Sequence, residues 1–74
     1  MTDEVKRETK RLMELGMKDM DAAHAASAQA GGADFFLTVD DSLLRIARKI
    51  GENLSVRVES PLAFLLDAIQ GEAP

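Results

Sequence analysis

The segment Gly31–Leu44, GGADFFLTVDDSLL, decides the fold class that the sequence predicts. Its paired glycines end a preceding helix, and an apolar run with a single threonine then extends from Phe35 to Val39. Continuous apolar runs of this length are typical of strands covered on both faces, as in parallel sheets. The segment therefore predicts a buried strand that is followed by a new helix.

Two helices are predicted before this strand. The first begins after Thr2, a favourable N-cap residue, and ends at Gly16. The second begins with Asp19 as its N-cap and runs to about Ala30, and its six alanines allow close approach to a sheet. The apolar face of the first helix comprises Val5, Thr9, Leu12 and Met13.

A third helix and a second strand are predicted after the Phe35 strand. Asp41 or Ser42 caps the helix and Gly51 ends it. Apolar and polar residues then alternate over Leu54–Val58, which indicates a half-exposed strand. The buried stripe predicted for the third helix comprises Leu43, Leu44, Ala47 and Ile50.

The chain closes with a strongly apolar helix. Ser60 is its predicted N-cap, Pro61 suits the first helical position, and Gly71 is predicted to end it before a tail of residues 72–74. Its apolar residues are Leu62, Phe64, Leu65, Leu66 and Ile69.

The order helix, helix, strand, helix, strand, helix predicts an α/β fold with four helices and a short parallel sheet of about two strands. Two strands alone make a poor sheet. A strand buried on both faces also needs a neighbour at each edge, and the chain offers one good candidate. We therefore expect another chain to complete the sheet through oligomerisation.

Composition limits the classes of function. The 74 residues form a single predicted domain, 1–74, without cysteine and with one histidine, so neither a disulfide framework nor a zinc site is expected. No apolar stretch approaches the length of a membrane span, and the N-terminus is acidic and polar without the apolar centre of a signal peptide. A cytoplasmic protein without membrane contact is therefore predicted. The net charge of −4 argues against a basic nucleic-acid surface, but it leaves room for a metal-dependent nuclease.

Two aspartates are expected to meet at one rim of the sheet. The short link through the glycines makes helix 19–30 antiparallel to strand 35–39, so the helix start lies beside the strand end. Asp21 and Asp40 then share the rim where open parallel sheets bind ligands. Carboxylates suit Mg²⁺ or Mn²⁺, and the Thr38 hydroxyl is placed to orient a water or a phosphate.

Each of these residues also has a plainer explanation. Asp19 and Asp21 suit the positive end of a helix, and Asp41 suits an N-cap. His24 follows Asp21 by three residues on the same face, where it is either a substrate contact or a half-buried packing residue. Packing is the commoner role for such a histidine.

Three stretches of the chain resemble the PIN-domain family. Residues 16–28, GMKDMDAAHAASA, are similar to its third-acid motif, and residues 32–44, GADFFLTVDDSLL, are similar to its strand with a threonine and the fourth acid. Residues 58–65, VESPLAFL, are similar to its closing strand, turn and helix. The resemblance implies a partial PIN-like three-layer fold. It also implies descent from metal-dependent ribonucleases, among them the VapC-type toxins of toxin–antitoxin pairs.

By this resemblance Asp21 matches the third acid of the family site, Asp40 the fourth and Thr38 the neighbouring hydroxyl, while Asp41 is a supplementary metal ligand. The family's first two acids have no counterpart here, since Asp3 and Glu4 lie on a helix that matches a later part of the fold. The resemblance therefore covers the C-terminal half of a PIN domain. It implies weak binding of Mg²⁺ or Mn²⁺ at most.

Two functions follow as expectations. The first is a truncated PIN-like domain without nuclease activity on its own, which acts as a self-associating or interaction module, with a homodimer as the simplest form. The alternative is a Mg²⁺- or Mn²⁺-dependent ribonuclease subunit whose missing acids come from a second chain, with RNA and an antitoxin as partners. A third hypothesis is a flavodoxin-like regulator with Asp40 as phosphoacceptor, but the chain lacks the strands that such a domain needs.

Overall fold

The computed structural model describes residues 1–72 of the chain. Within them the fold is α/β and mostly helical, with four helices and a parallel two-stranded sheet, as the sequence predicts. The elements are α1 (Asp3–Glu14), α2 (Asp19–Ala30), β1 (Phe35–Leu37), α3 (Asp41–Ile50), a 3-10 turn (Gly51–Asn53), β2 (Arg57–Glu59) and α4 (Pro61–Glu72). Helix α4 continues through Gly71, so the predicted end at that residue is wrong, and the rest of the predicted tail, 73–74, lies outside the described residues.

Helix α1 begins and ends as its sequence predicts. The Thr2 hydroxyl accepts a hydrogen bond from the backbone N–H of Val5 at 3.2 Å, which satisfies one of the free donors of the first turn. After the helix, Gly16 takes a φ of +116°, and a Cβ there would lie 2.9 Å from Cδ1 of Ile46. The positive φ therefore favours glycine at this turn, whereas a Cβ could be accommodated by a shift of the Ile46 side chain.

The apolar face of α1 is narrower than predicted. Val5 and Leu12 are buried, whereas Met13 is 44% exposed. Thr9 is half-buried and its hydroxyl donates to the carbonyl of Val5 at 2.7 Å. The interior contact of α1 thus rests on Val5 and Leu12.

Helix α2 differs from prediction at its start. Its N-cap is Lys18, and Asp19 is the first helical residue, with Oδ1 accepting from the backbone N–H of Met20 at 2.8 Å. Helix α2 packs mainly against α1 rather than against the sheet. Its buried alanines are Ala22, Ala25 and Ala26.

The strands pair in parallel, with Phe36 opposite Val58. These two side chains pack against the helical core, while their neighbours on β1 face the other way: Phe35 is 39% exposed and Leu37 is 43% exposed. The prediction of a strand from 35 to 39 covered on both faces is therefore wrong, since β1 is shorter and the face that points away from the core stays partly exposed. The predicted three-layer arrangement and its completion by oligomerisation stay predictions.

Helix α3 and β2 complete the interior. Leu43, Ala47 and Ile50 of α3 are buried as predicted, and Leu44 is half-buried. The second strand begins at Arg57, later than predicted. The core comprises Val5, Leu12, Met17, Ala22, Ala25, Ala26, Leu43, Ala47 and Ile50.

Helix α4 lies against the side of the sheet that faces away from the core. The Ser60 hydroxyl accepts from the backbone N–H of Ala63 at 3.1 Å, which confirms the predicted cap. The Phe64 ring meets the Phe35 ring edge-on, with centroids 4.9 Å apart. No helix among the described residues is both long and apolar enough to cross a membrane.

Candidate functional site

Asp40 of the predicted rim caps α3. Its Oδ1 accepts hydrogen bonds from the backbone N–H groups of Ser42 at 2.9 Å and Leu43 at 3.2 Å. The prediction that Asp41 or Ser42 caps this helix is therefore wrong. One oxygen of this carboxylate thus satisfies two helix donors, which gives Asp40 a structural role of its own.

Thr38 lies directly beside this cap. Its Oγ1 accepts from the backbone N–H of Asp40 at 3.1 Å, and its own backbone N–H donates to the carbonyl of Glu59 at 2.9 Å. The hydroxyl proton is left to donate, because a hydroxyl both donates and accepts. The structure thus brings Thr38 and Asp40 together, and Asp41 is an exposed first residue of α3.

Asp21 and His24 lie on the side of α2 that reaches β1. The His24 ring stacks on the Phe36 ring, with centroids 6.5 Å apart and planes inclined by 30°. Asp21 is half-buried and precedes His24 by three residues, so the two share a face. His24 itself is exposed, which corrects the expectation of half-burial but keeps its packing role.

The described residues do not assemble a complete metal site. Within residues 1–72, no three histidine, aspartate or glutamate side chains converge as a group that could hold a metal. Two carboxylates would leave Mg²⁺ with mostly water ligands, since it requires six oxygens in near-octahedral geometry. The assignment of Asp21, Asp40 and Asp41 as metal ligands stays a prediction.

Helix α4 presents an apolar stripe to solvent. Its members recur at the i, i+3, i+4, i+7 spacing of one helix face, and that face points away from the side on which Phe64 contacts the sheet. The α4 stripe consists of Leu62 (66% exposed), Leu65 (54%), Leu66 (48%) and Ile69 (56%). A helix face of this pattern is normally buried against another element.

A charged pair lies on the same face of the sheet as α4. Arg57 Nη2 donates to Glu59 Oε1 at 2.6 Å, and Asp67 of α4 lies 3.8 Å from the same nitrogen. The other carboxylate oxygen of Glu59, Oε2, is buried without a hydrogen-bond partner among the described residues. Burying a carboxylate oxygen without a donor is costly, so this atom marks an incomplete interaction.

A second polar cluster joins the helices to the segment before β2. The Glu8 carboxylate accepts from Arg11 Nε at 2.7 Å and also from Gln29 Nε2. Gln29 Oε1 accepts from the backbone N–H of Ser55 at 2.7 Å, and Arg11 donates to the carbonyl of Asn53. The hydrogen bond from Arg11 lowers the pKa of Glu8, against a smaller opposing effect of burial, and the same bond raises the pKa of Arg11.

Sequence reasoning missed both charged clusters and the exposure of the α4 stripe. Glu8 and Arg11 lie three residues apart on one helix face, which was a usable signal for that pair. The link from Glu8 to Gln29 joins residues far apart in the chain, and a single sequence carries no signal for it. Comparison with protein-family models, with curated proteins and with solved structures found no match for the chain.

Proposed function

We propose that this chain is a PIN-like interaction module that associates with a second copy of itself and has no nuclease activity on its own. The observation that carries the proposal is the α4 stripe, a regular apolar helix face turned to solvent. Exposed apolar patches of this kind mark interaction sites. A symmetric pair is the simplest closed arrangement because each copy offers the same surface.

The size of the stripe suggests a weak association. Full burial of a leucine or isoleucine side chain contributes about 1.5–3 kcal/mol, and these side chains are about half exposed, so each has roughly 1 kcal/mol to gain. A symmetric pair buries the stripe twice, which amounts to roughly 8 kcal/mol. This is comparable with the cost of association, about 4–15 kcal/mol, so the stripe by itself supports millimolar binding at most, and micromolar association needs a further contact.

The rim supports the proposed lack of activity in the isolated chain. Oδ1 of Asp40 is engaged as the α3 cap, and Asp21 is the one other acid that the family resemblance assigns to this rim, so two of the four family acids are matched. The alternative is a Mg²⁺- or Mn²⁺-dependent ribonuclease subunit that takes its missing acids from a second chain. Its RNA and antitoxin partners belong to that alternative alone.

Light scattering of three proteins tests the association. We expect the unaltered chain to reach twice the 8.0 kDa chain mass at tens of micromolar, and Leu65→Glu to stay at the single-chain mass. The matched control is Gln70→Glu, which adds the same charge to an exposed position of α4 outside the stripe and should still associate. Equal masses for all three proteins would contradict a role for the stripe.

An RNA-cleavage assay separates the two functions. With Mg²⁺ or Mn²⁺ present, we expect no cleavage of single-stranded RNA by the chain. Asp40→Asn is the diagnostic variant because asparagine caps a helix as well as aspartate does but cannot supply a carboxylate. Metal-dependent cleavage that Asp40→Asn abolishes would overturn the proposal in favour of the ribonuclease subunit.

A further inference from the structure

The outer edge of β2 has free backbone hydrogen-bonding groups. The N–H of Arg57 donates to the carbonyl of Asp34 at 3.0 Å, and the carbonyl of Glu59 accepts from Thr38 at 2.9 Å. In a parallel pair, alternate residues of a strand point their polar groups toward the partner. Arg57 and Glu59 therefore face β1, and the N–H and C=O of Val58 point to the opposite, unpaired edge.

A groove of about 430 Å³ runs along this edge. Its lining includes every residue from Val56 to Ser60 in succession, which places the groove lengthwise beside the strand. Ala47 and Arg48 of α3 line it too, and Ala63 of α4 also borders it. The groove therefore leaves the Val58 edge open to an extended segment, the usual template for pairing with another chain.

We propose that β2 pairs with β2 of a second copy, antiparallel and about a two-fold axis through Val58. This inference rests on the proposed self-association and specifies its geometry. In that register the Val58 N–H and C=O of each copy bond to those of the other, and Arg57 lies directly opposite Glu59 of the second copy. Such non-hydrogen-bonded positions bring side chains closest together.

The charge pattern selects this register over its neighbours. Both cross-strand pairs are then of opposite charge. A shift of the axis to Arg57 would place two arginines opposite each other, and a shift to Glu59 would place two glutamates opposite each other. Like charges in directly opposite positions destabilise a sheet.

Pairing at β2 also extends the sheet of the chain. The sheet grows to four strands in the order β1-β2-β2-β1, within the usual size range of sheets, whereas two strands are marginal. A two-fold axis perpendicular to the sheet places both α4 helices on the same face of it. The α4 stripe points away from the sheet, so strand pairing forms a contact separate from the one that the stripe supports.

The test uses charge reversal and mixing. Arg57→Glu leaves two glutamates in each strand and Glu59→Arg leaves two arginines, so each variant alone should weaken self-association at least about tenfold. An equimolar mixture restores opposite charges at both cross-strand positions and should form a heterodimer. The double variant Arg57→Glu/Glu59→Arg is the matched control, because it restores opposite pairs within one protein and should self-associate.

Sedimentation velocity of each protein and of the mixture measures these outcomes, with circular dichroism to show that each variant is folded. Single variants that associate like the unaltered chain would overturn strand pairing and leave association through the stripe intact. Folded single variants that stay monomeric even when mixed would overturn the register. An unaltered chain that stays monomeric would overturn the proposed function itself.

Hydrogen exchange at one amide gives a second readout that does not depend on variants. The Val58 N–H faces the outer edge, so it should exchange fast in dilute protein and more slowly as the concentration rises through the association range. The Arg57 N–H already pairs with Asp34 and serves as the internal control. Fast exchange of Val58 in associated protein would contradict the proposed pairing.

Discussion

The helical end of the molecule and the end formed by the sheet and α4 differ in how completely they bury their apolar residues. In the helical end Leu12 is fully buried, and Ala25 and Ala26 are each 1% exposed. In the other end Leu62 of α4 is 66% exposed and Val39 after β1 is 82% exposed. Helix α4 is more apolar than α1, α2 or α3, so its exposure comes from what the chain places next to it and not from a shortage of apolar residues.

The residues that stabilise the fold therefore differ from those that are exposed for binding. Helices α1, α2 and α3 enclose one core, and the hydrogen bond between Gln29 and Glu8 also joins α2 to α1. Helix α4 meets the sheet through Phe64 and turns its apolar stripe outward. Stability should therefore depend mostly on the helical end and association mostly on the other.

Truncating one leucine in each end should give the largest difference in the free energy of unfolding. Leu12→Ala removes a fully buried side chain and should lower the free energy of unfolding by about 3 kcal/mol, since the cavity cannot be filled by water. Leu66→Ala on the α4 stripe should change it by less than about 0.5 kcal/mol below the association range. Urea unfolding at one low chain concentration compares them, and equal losses would contradict the division.

A smaller loss of stability is expected when Asp40, the N-cap residue of α3, is replaced. Asp40→Ala removes the acceptor for two backbone N–H groups of α3 and should cost about 1 kcal/mol. Asp40→Asn keeps an acceptor and should cost a few tenths at most. Thermal unfolding measures both, and an Asn variant as unstable as the Ala variant would show that the charge of Asp40 matters more than its capping role.

The smallest expected effect is the contribution of the Glu8–Arg11 pair to stability, which should depend on pH. Because the Arg11 hydrogen bond lowers the pKa of Glu8 in the folded chain, the pair stabilises the fold above the ordinary glutamate pKa of about 4.3. This contribution disappears as the pH falls through the lowered pKa of the folded state.

Glu8→Gln should therefore be less stable than the unaltered chain by about 0.5–1 kcal/mol at pH 7, with the difference shrinking towards pH 3. Urea unfolding across this range measures it. The control Glu14→Gln, at an exposed position of the same helix, should show no such narrowing. A stability difference between Glu8→Gln and the unaltered chain that stays constant with pH would mean that Glu8 acts through packing alone.

Local chemistry made part of the fold predictable. Thr2 and Ser60 are caps because their hydroxyls reach the free donors of a first turn, and both were predicted. The α3 cap was predicted at the wrong residue because Asp40, Asp41 and Ser42 are all good caps, so the choice depends on where β1 ends. That end is fixed by pairing with β2, which local sequence does not specify.

Exposure was harder to predict than secondary structure. The continuous apolar run at 35–39 indicated burial on both faces, yet Phe35 and Leu37 are partly exposed, because periodicity shows which residues need cover but not whether the chain supplies it. Of the predicted rim, the proximity of Thr38 and Asp40 is confirmed, since a hydrogen bond joins the Asp40 N–H to the Thr38 hydroxyl. The metal site predicted there stays a prediction. The sequence did not single out Glu59, because its distinguishing feature is a buried carboxylate oxygen without a hydrogen-bond partner among the described residues, and no sequence pattern indicates this.

Sedimentation equilibrium of the unaltered chain from low to high micromolar concentration tests the central claim most directly. We predict a weight-average mass that rises from the 8.0 kDa of one chain and levels off at twice that value, as a closed pair requires. A mass that stays at 8.0 kDa over the whole range would contradict the account.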